Sequence, residues 1–290
     1  MNAQRLLADH LQREQLPAEL AQLTDQLYLP LLDWALGLGP KRPILLGING
    51  AQGTGKSTTA EILRLLAEEL RGKKAACLSI DDLYKTKAER QLLAETHHPL
   101  FATRGVPGTH DLALGVQLIL ALRRGGAVRL PRFDKLADDR AEGRFWPEVG
   151  PDLDLLILEG WCVGARPQPE ADLSQPVNQL EAQEDPEGIW RAWANQQLKG
   201  VYAQLFSQLD GLILLKPDSF TQVKAWRTHQ ERRMETNTGK RGMDDAQLER
   251  FIAHYQRLTQ WMLTDLPQVA DVVVPVTADH MPGLPQWGSK

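Results

Sequence analysis

The sequence predicts an α/β fold, with a parallel β-sheet core and helices on both faces. Three observations carry that expectation. Short apolar runs with the length of buried strands alternate with longer segments of helical periodicity. A glycine-rich stretch sits at one strand-to-helix junction. Acidic residues stand at the ends of two of the apolar runs.

The elements follow in order. Residues up to about 40 read as a helical extension, since Leu6, Leu7 and Leu11, then Leu20, Leu23 and Leu27, recur at helical spacing. Pro43–Ile48 reads as a buried strand and Ser57–Leu70 as a helix. Ala75–Ile80 is the next strand. Asp111–Arg124 is a helix with Leu114, Leu118, Ile119 and Leu122 on one face, stopped by Gly125-Gly126. Val128–Leu130 is a short strand, and Leu153–Leu158 and Gly211–Leu215 are longer ones. Phe220–Arg233 and Asp245–Leu263 read as helices, and Asp271–Val276 closes the pattern as the last strand. The stretch from Arg166 to Gly188 is rich in Pro, Gln and Glu and reads as a surface loop or insertion.

The 290 residues are enough for one large domain, and a single domain spanning 1–290 is the expectation. At 42% hydrophobic and 24% charged, with a net charge of -4, the chain lacks the basic footprint of a nucleic-acid binder. Cys77 and Cys162 are far apart and form no metal or disulfide pattern. The N-terminus carries Arg5, Asp9, Arg13, Glu14 and Glu19 among its leucines, an amphipathic pattern unlike a signal peptide. No apolar run has the length needed to span a bilayer. A cytoplasmic location with no membrane partner is expected.

Gly50-Ala51-Gln52-Gly53-Thr54-Gly55-Lys56-Ser57, followed by Thr58, matches G-x-x-x-x-G-K-[ST] between a predicted strand and a predicted helix. The glycines let the backbone turn tightly, and its N–H groups then point at an anion at the helix N-terminus. Lys56 supplies a cation for the β- and γ-phosphates of ATP, and the Ser57 hydroxyl a ligand for Mg2+. Glu159 ends the apolar run Leu155–Leu158 and is the candidate second metal ligand. Asp81 and Asp82, in Ser79-Ile-Asp-Asp-Leu-Tyr84, follow the second strand, at the sheet edge where ligands bind. A carboxylate there can take a proton from an attacking hydroxyl.

These segments resemble the uridine kinase, phosphoribulokinase and pantothenate kinase group of P-loop NTPases. Gly105-Val-Pro-Gly-Thr-His110-Asp111, Leu130-Pro-Arg132-Phe133-Asp134-Lys135, Phe145-Trp-Pro-Glu148, Glu159-Gly-Trp161 and Gly239-Lys-Arg-Gly-Met243 are similar to its plant-type D-glycerate 3-kinase branch. The sequence departs from the group at Leu83, where many members carry an aromatic residue, and at Leu136-Ala-Asp-Asp. The resemblance implies a kinase that moves the γ-phosphoryl group of ATP, with Mg2+, onto a small glycerate-like acceptor. It implies Asp81 as base, with Asp82 second, and Asp81 also as a metal partner. Tyr84 and Asp134 fall in its acceptor motifs, and Asp111 is either near acceptor hydroxyls or an N-cap. Arg104, His110, Arg132 and Lys135 are the candidates to hold an acceptor carboxylate. The region from about 227 to 246 resembles the group's lid, with Arg227 and Arg232 as the arginines that reach the transferring phosphate. Trp161 stands where it could line the acceptor pocket. A nucleoside or pantothenate-like acceptor, and a nucleotide switch without transfer, are the competing readings.

Overall fold

Alternate residues of a strand face opposite sides of a sheet, so a strand buried on both faces must be apolar throughout. The central strands obey that rule. A computed structural model describes residues 2–238 and 243–288, with the backbone alone for 233–238. In chain order its elements are α1 (Ala3–Arg13), α2 (Leu29–Leu36), β1 (Ile44–Gly50), α3 (Lys56–Arg71), β2 (Ala75–Ser79), α4 (Lys87–Thr96), α5 (Leu112–Arg123), β3 (Val128–Arg129), β4 (Phe133–Asp134), β5 (Asp139–Arg140), β6 (Glu148–Val149) and β7 (Leu155–Gly160). They continue with α6 (Gln179–Glu184), α7 (Ile189–Gln197), α8 (Ala203–Phe206), β8 (Gly211–Pro217), α9 (Phe220–Thr238), α10 (Asp245–Asp265), β9 (Val272–Val276) and β10 (Gln286–Trp287).

The main sheet runs β10-β9-β8-β1-β7-β2. Its pairings are parallel except for β10, which lies antiparallel on β9. From β1, Ile44, Leu46 and Ile48 enter one core, together with Leu155 and Ile157 of β7 and Ile213 and Leu215 of β8. Leu45, Leu156, Leu158, Leu212 and Leu214 point the other way into a second core. Helices α1, α2 and α3 cover the first face through Leu7, Leu11, Leu31, Leu32, Ile62 and Leu66. Helices α5 and α10 cover the second through Ile119, Leu122, Leu258 and Met262. The helical N-terminal extension is therefore part of the core.

The structure corrects several expectations. The short strand expected at Val128 does form, as β3, but it pairs antiparallel with β6 outside the main sheet. The run at Asp271 is not the last strand, because β10 follows it. The stretch 166–188 is not merely a surface loop. It contains α6, and its Glu181 and Asp185 are buried against Arg257 and Arg191. Helix α4 has too few apolar positions to be read by periodicity, yet Thr86 and Glu89 give it a complete capping box.

The Arg257 guanidinium grips Glu181 through two bonds, Nε to Oε1 at 2.8 Å and Nη2 to Oε2 at 2.7 Å. Glu181 is fully buried. Removing one member of such a pair strands a charge. Arg257→Met is expected to cost about 3–5 kcal/mol, and adding Glu181→Gln to restore much of it, measured by urea unfolding. Additive losses in the double variant would contradict the pairing.

Candidate functional site

The C-terminal ends of β1, β2 and β7 meet at one edge of the sheet, and each delivers a polar segment there. After β1 the chain turns through Gly53, at φ 88°, and Gly55, at φ 82°, into the first turn of α3. The left-handed region favours glycine, and a Cβ on Gly53 would also lie 3.1 Å from the Trp226 Cβ. Gly50 has no room for a side chain either, since its Cβ would meet the Thr54 hydroxyl. The Ala51 carbonyl accepts from the Thr54 hydroxyl at 2.9 Å and from Lys56 Nζ at 3.1 Å. Gln52, Gly53, Lys56 and Ser57 face a cavity of about 740 Å³. Thr58 begins the buried side of α3, half-buried itself.

Glu159, at the end of β7, is buried and accepts the Ser57 hydroxyl hydrogen bond at 2.9 Å. A hydroxyl beside a carboxylate is a hard-oxygen pair of the kind Mg2+ takes, leaving other positions to substrate oxygens and water. Among the described residues, no three acidic, His or Cys side chains cluster into a closed metal cage. Gly160 follows, and a Cβ there would lie 2.3 Å from Ile80 Cγ2, so this glycine lets the end of β2 come close. Burial pushes the Lys56 ammonium down, opposed by the charges of Glu159 and Asp81.

Asp81 lies in a single helical turn after β2, and its Oδ2 accepts from Lys135 Nζ at 2.8 Å. Burial acts to raise the Asp81 carboxyl. The Lys135 ammonium, with help from His110 and Tyr84, outweighs it and holds the group below the ordinary carboxylate value. Asp82 points elsewhere. It accepts from the Phe133 N–H at 3.0 Å and from Arg132 at 3.2 Å, so it anchors the β4–β5 hairpin. Burial raises its carboxyl despite those two donors.

The cavity brings together Lys56, Ser57, Asp81, Tyr84, Arg104, Lys135, Glu159, Trp161 and Arg227 from the residues singled out in the sequence. It does not bring in Asp82, His110, Asp111, Arg132, Asp134 or Arg232. Asp111 is the N-cap of α5, accepting from Leu114 N at 3.1 Å and from Arg140 at 3.1 Å. Asp134 closes its own turn by accepting from the N–H groups of Leu136 and Ala137. Arg132 and Asp82 hold one another. His110 is buried behind Tyr84, stacked on it with centroids 4.4 Å apart. Arg232 is exposed on α9 and outside the residues described as lining the cavity. The stretch 239–242 of the expected lid lies outside the described residues.

Several contributors were not read from the sequence. The Asn49 side-chain amide, buried at the end of β1, donates to the carbonyls of Trp161 at 3.0 Å and Val163 at 2.7 Å. Asp138 pairs with Arg104 and with the fully buried Arg90. Tyr255 and Phe251 of α10 and Gln230 of α9 close the far wall. Arg227 is aimed by an ion pair with Glu231 at 2.8 Å and lies over the Phe251 ring at 5.0 Å.

The Tyr202 hydroxyl accepts from Gly108 N at 2.8 Å and meets His110 Nδ1 at 2.6 Å. Burial pushes the His110 imidazole from 6.5 down to about 4. A histidine depressed in this way contributes stability above its unfolded value, and that stability is lost as pH falls toward the folded value. Between pH 6.5 and 5 the wild type should lose about 2 kcal/mol more than His110→Gln. Urea melts of both proteins at the two pH values read this, and equal losses would mean that burial leaves His110 unshifted.

No protein-family model matches the chain. Over 225 residues it is 32% identical to the chloroplastic D-glycerate 3-kinase of Arabidopsis thaliana, covering 73% of this chain. The chain spans less than half of that plant enzyme, 46% of its length. It is 33% identical over 225 residues to the uncharacterized kinase mug58 of Schizosaccharomyces pombe, covering 74% of this chain and 79% of the relative. Among solved structures, D-glycerate 3-kinase from Cryptococcus neoformans var. grubii matches with a TM-score of 0.72 at 25% identity, covering 90% of this chain and 96% of that one. With its phosphate loop between β1 and α3, this chain belongs to the P-loop kinase family that includes D-glycerate 3-kinase.

Proposed function

We propose that the chain is an ATP-dependent kinase that transfers the γ-phosphoryl group to a hydroxyl of a small acid, with D-glycerate the leading acceptor. The observation that carries this reading is one cavity in which Lys56, Ser57 and Glu159 face Asp81, Lys135 and Arg104. One end suits phosphates and the other suits a hydroxylated carboxylate. The named relatives support the choice of glycerate.

In this reading the loop Gly50–Thr58 cradles the ATP phosphates with backbone N–H groups, and Lys56 neutralises the β- and γ-oxygens. Ser57, Glu159 and Asp81 are the residues that would hold Mg2+, which when bound offsets negative charge on the phosphates. Asp81 accepts the proton of the attacking hydroxyl. Tyr84 packs beside it, and Arg104 and Lys135 hold the acceptor carboxylate with charge-assisted bonds. Arg227 reaches the transferring phosphoryl group, and the lid it starts, about 227–246, excludes water on closing. Asp82, His110, Asp111, Arg132 and Asp134 act from behind, by holding the segments that carry these groups. Arg232 is a second lid arginine that joins on closure. The whole chain works as one domain in the cytoplasm. No helix among the described residues is long and apolar enough to cross a membrane.

The test is ATP consumption with Mg2+ against D-glycerate, L-glycerate, uridine, pantothenate and no acceptor. Turnover with D-glycerate that falls about 10²–10⁴-fold in Asp81→Asn is the expected result. Turnover with uridine or pantothenate alone would replace the acceptor. Nucleotide binding with no acceptor-dependent turnover across the panel would favour a nucleotide switch and overturn the proposal.

A further inference from the structure

The acceptor half of the cavity holds two cations, and each already faces an acid. They are held very differently. Arg104 is pinned: its guanidinium pairs with Asp138 and lies over the Phe133 ring at 5.5 Å. Asp138 is fixed in turn by Arg90, a fully buried arginine that also donates to the carbonyls of Lys85 and Asp138. Lys135 has no such frame. Its side chain is 62% exposed, and the Asp81 side chain it touches is 30% exposed. An ion pair this open to water is weak and exchanges readily.

The backbone under Lys135 is fixed even though its side chain is not. Asp82 accepts from the Phe133 N–H, and Asp134 accepts from the N–H groups of Leu136 and Ala137. The adjacent aspartates thus divide two tasks. Asp82 anchors the hairpin, and Asp81 receives the ammonium that the hairpin presents. That ammonium donates to Asp81 Oδ2, so the oxygen is less available to a hydroxyl proton while the contact lasts.

We propose that Lys135 is a specificity-determining residue that locks Asp81 until an anionic acceptor arrives. The acceptor carboxylate enters between Lys135 and Arg104 and draws the ammonium off Asp81, so the base is released only when an acid is in place. A neutral alcohol or water offers no counter-charge and leaves the lock closed. One exchange of partners therefore reads the acceptor and suppresses wasteful hydrolysis of ATP. The inference rests on the kinase reading above, with Asp81 as the base.

D-lactate separates the two ideas. It has the carboxylate and 2-hydroxyl of D-glycerate and a methyl group in place of the hydroxymethyl group that carries the 3-hydroxyl. It can draw Lys135 away but cannot be phosphorylated at that carbon. Water then attacks. Its oxygen bonds to the γ-phosphorus, and the bond to the β–γ bridging oxygen breaks. ADP leaves with that electron pair, and the water proton goes to Asp81. ATP hydrolysis and D-glycerate phosphorylation are measured in the full chain as wild type, Lys135→Met and Lys135→Arg, with melting temperatures as a folding control. D-lactate is expected to raise wild-type hydrolysis at least about tenfold. Lys135→Met should hydrolyse ATP at the raised rate without any addition and ignore D-lactate, while its kcat/KM for D-glycerate falls about 10- to 100-fold. Lys135→Arg should keep basal hydrolysis low. A wild type that phosphorylates D-glycerate but does not respond to D-lactate overturns the lock and leaves the kinase reading standing. So does a folded Lys135→Met whose basal hydrolysis is unchanged, since ATP or solvent alone would then free Asp81. A wild type with no D-glycerate turnover overturns both.

Discussion

The buried amide of Asn49 is the fixed point of the site. It is the penultimate residue of β1, one before the phosphate loop begins, and its bonds to carbonyl oxygens go to the chain just after β7. A buried amide that loses its partners costs about 1–3 kcal/mol, so the two strand ends cannot drift apart cheaply. Glu159 is thereby held within reach of Ser57. Gly160 then lets Ile80 pack against the same edge, because any side chain there would collide with it. The place of Asp81, next in the chain, follows from that contact. One buried amide and one missing side chain set the spacing of Ser57 in the first turn of α3, Glu159 at the end of β7 and Asp81 just after β2.

Charge explains why the two ends of the cavity differ. At the phosphate end a half-buried Lys56 donates to the Ala51 carbonyl, and the acid that acts on it most strongly, Glu159, is already turned to Ser57. That end gains from an anion of high charge. At the other end Asp81 pairs with Lys135, while Asp138 is shared between Arg104 and the buried Arg90. Such a set, with three cations to two acids, does not repel a small anion. It selects by which ion pairs can be exchanged, and the exposed pair exchanges at lower cost than the one braced by a buried arginine.

How much was legible follows from which forces are local. Strands β1, β7 and β8 were visible because burial on both faces demands unbroken apolar runs. The phosphate loop was visible because its glycines and Lys56 are contiguous. Glu159 was found as the acid that ends such a run. The Asp111 side chain was undecided between two tasks, and the geometry gives it to the helix it caps and to Arg140. Asn49 was missed although a polar residue at the end of an apolar strand is itself a signal of a specific partner. Asp138 could not be found, since its value lies in Arg90, 48 residues away, and in Arg104, 34 away. The capping box at Thr86 and Glu89 was present in the sequence, and periodicity alone passed over it. The pairing of Glu181 with Arg257 spans 76 residues, and no local pattern announces that the Pro- and Glu-rich stretch packs inward.

The arrangement on α9 and α10 bears on why this cavity suits transfer better than simple nucleotide binding. Arg227, Gln230, Met243, Phe251 and Tyr255 line the cavity opposite the sheet edge. Glu231 ties the two sides of that wall, pairing with Arg227 and accepting from the Met243 N–H at 3.0 Å. Glu231 therefore links Arg227 to the segment that leads into α10. A protein that only binds a nucleotide needs no cation on this side, because Lys56 and the backbone already answer the phosphates. An arginine mounted on α9, lining the same cavity as an acid that is itself covered by an exchangeable lysine, is useful when charge has to be met at the moment a phosphoryl group moves. In the proposed mechanism both features guard against the same side reaction: Lys135 occupies Asp81 until an acid arrives, and Arg227 meets the charge from the opposite wall of the same cavity.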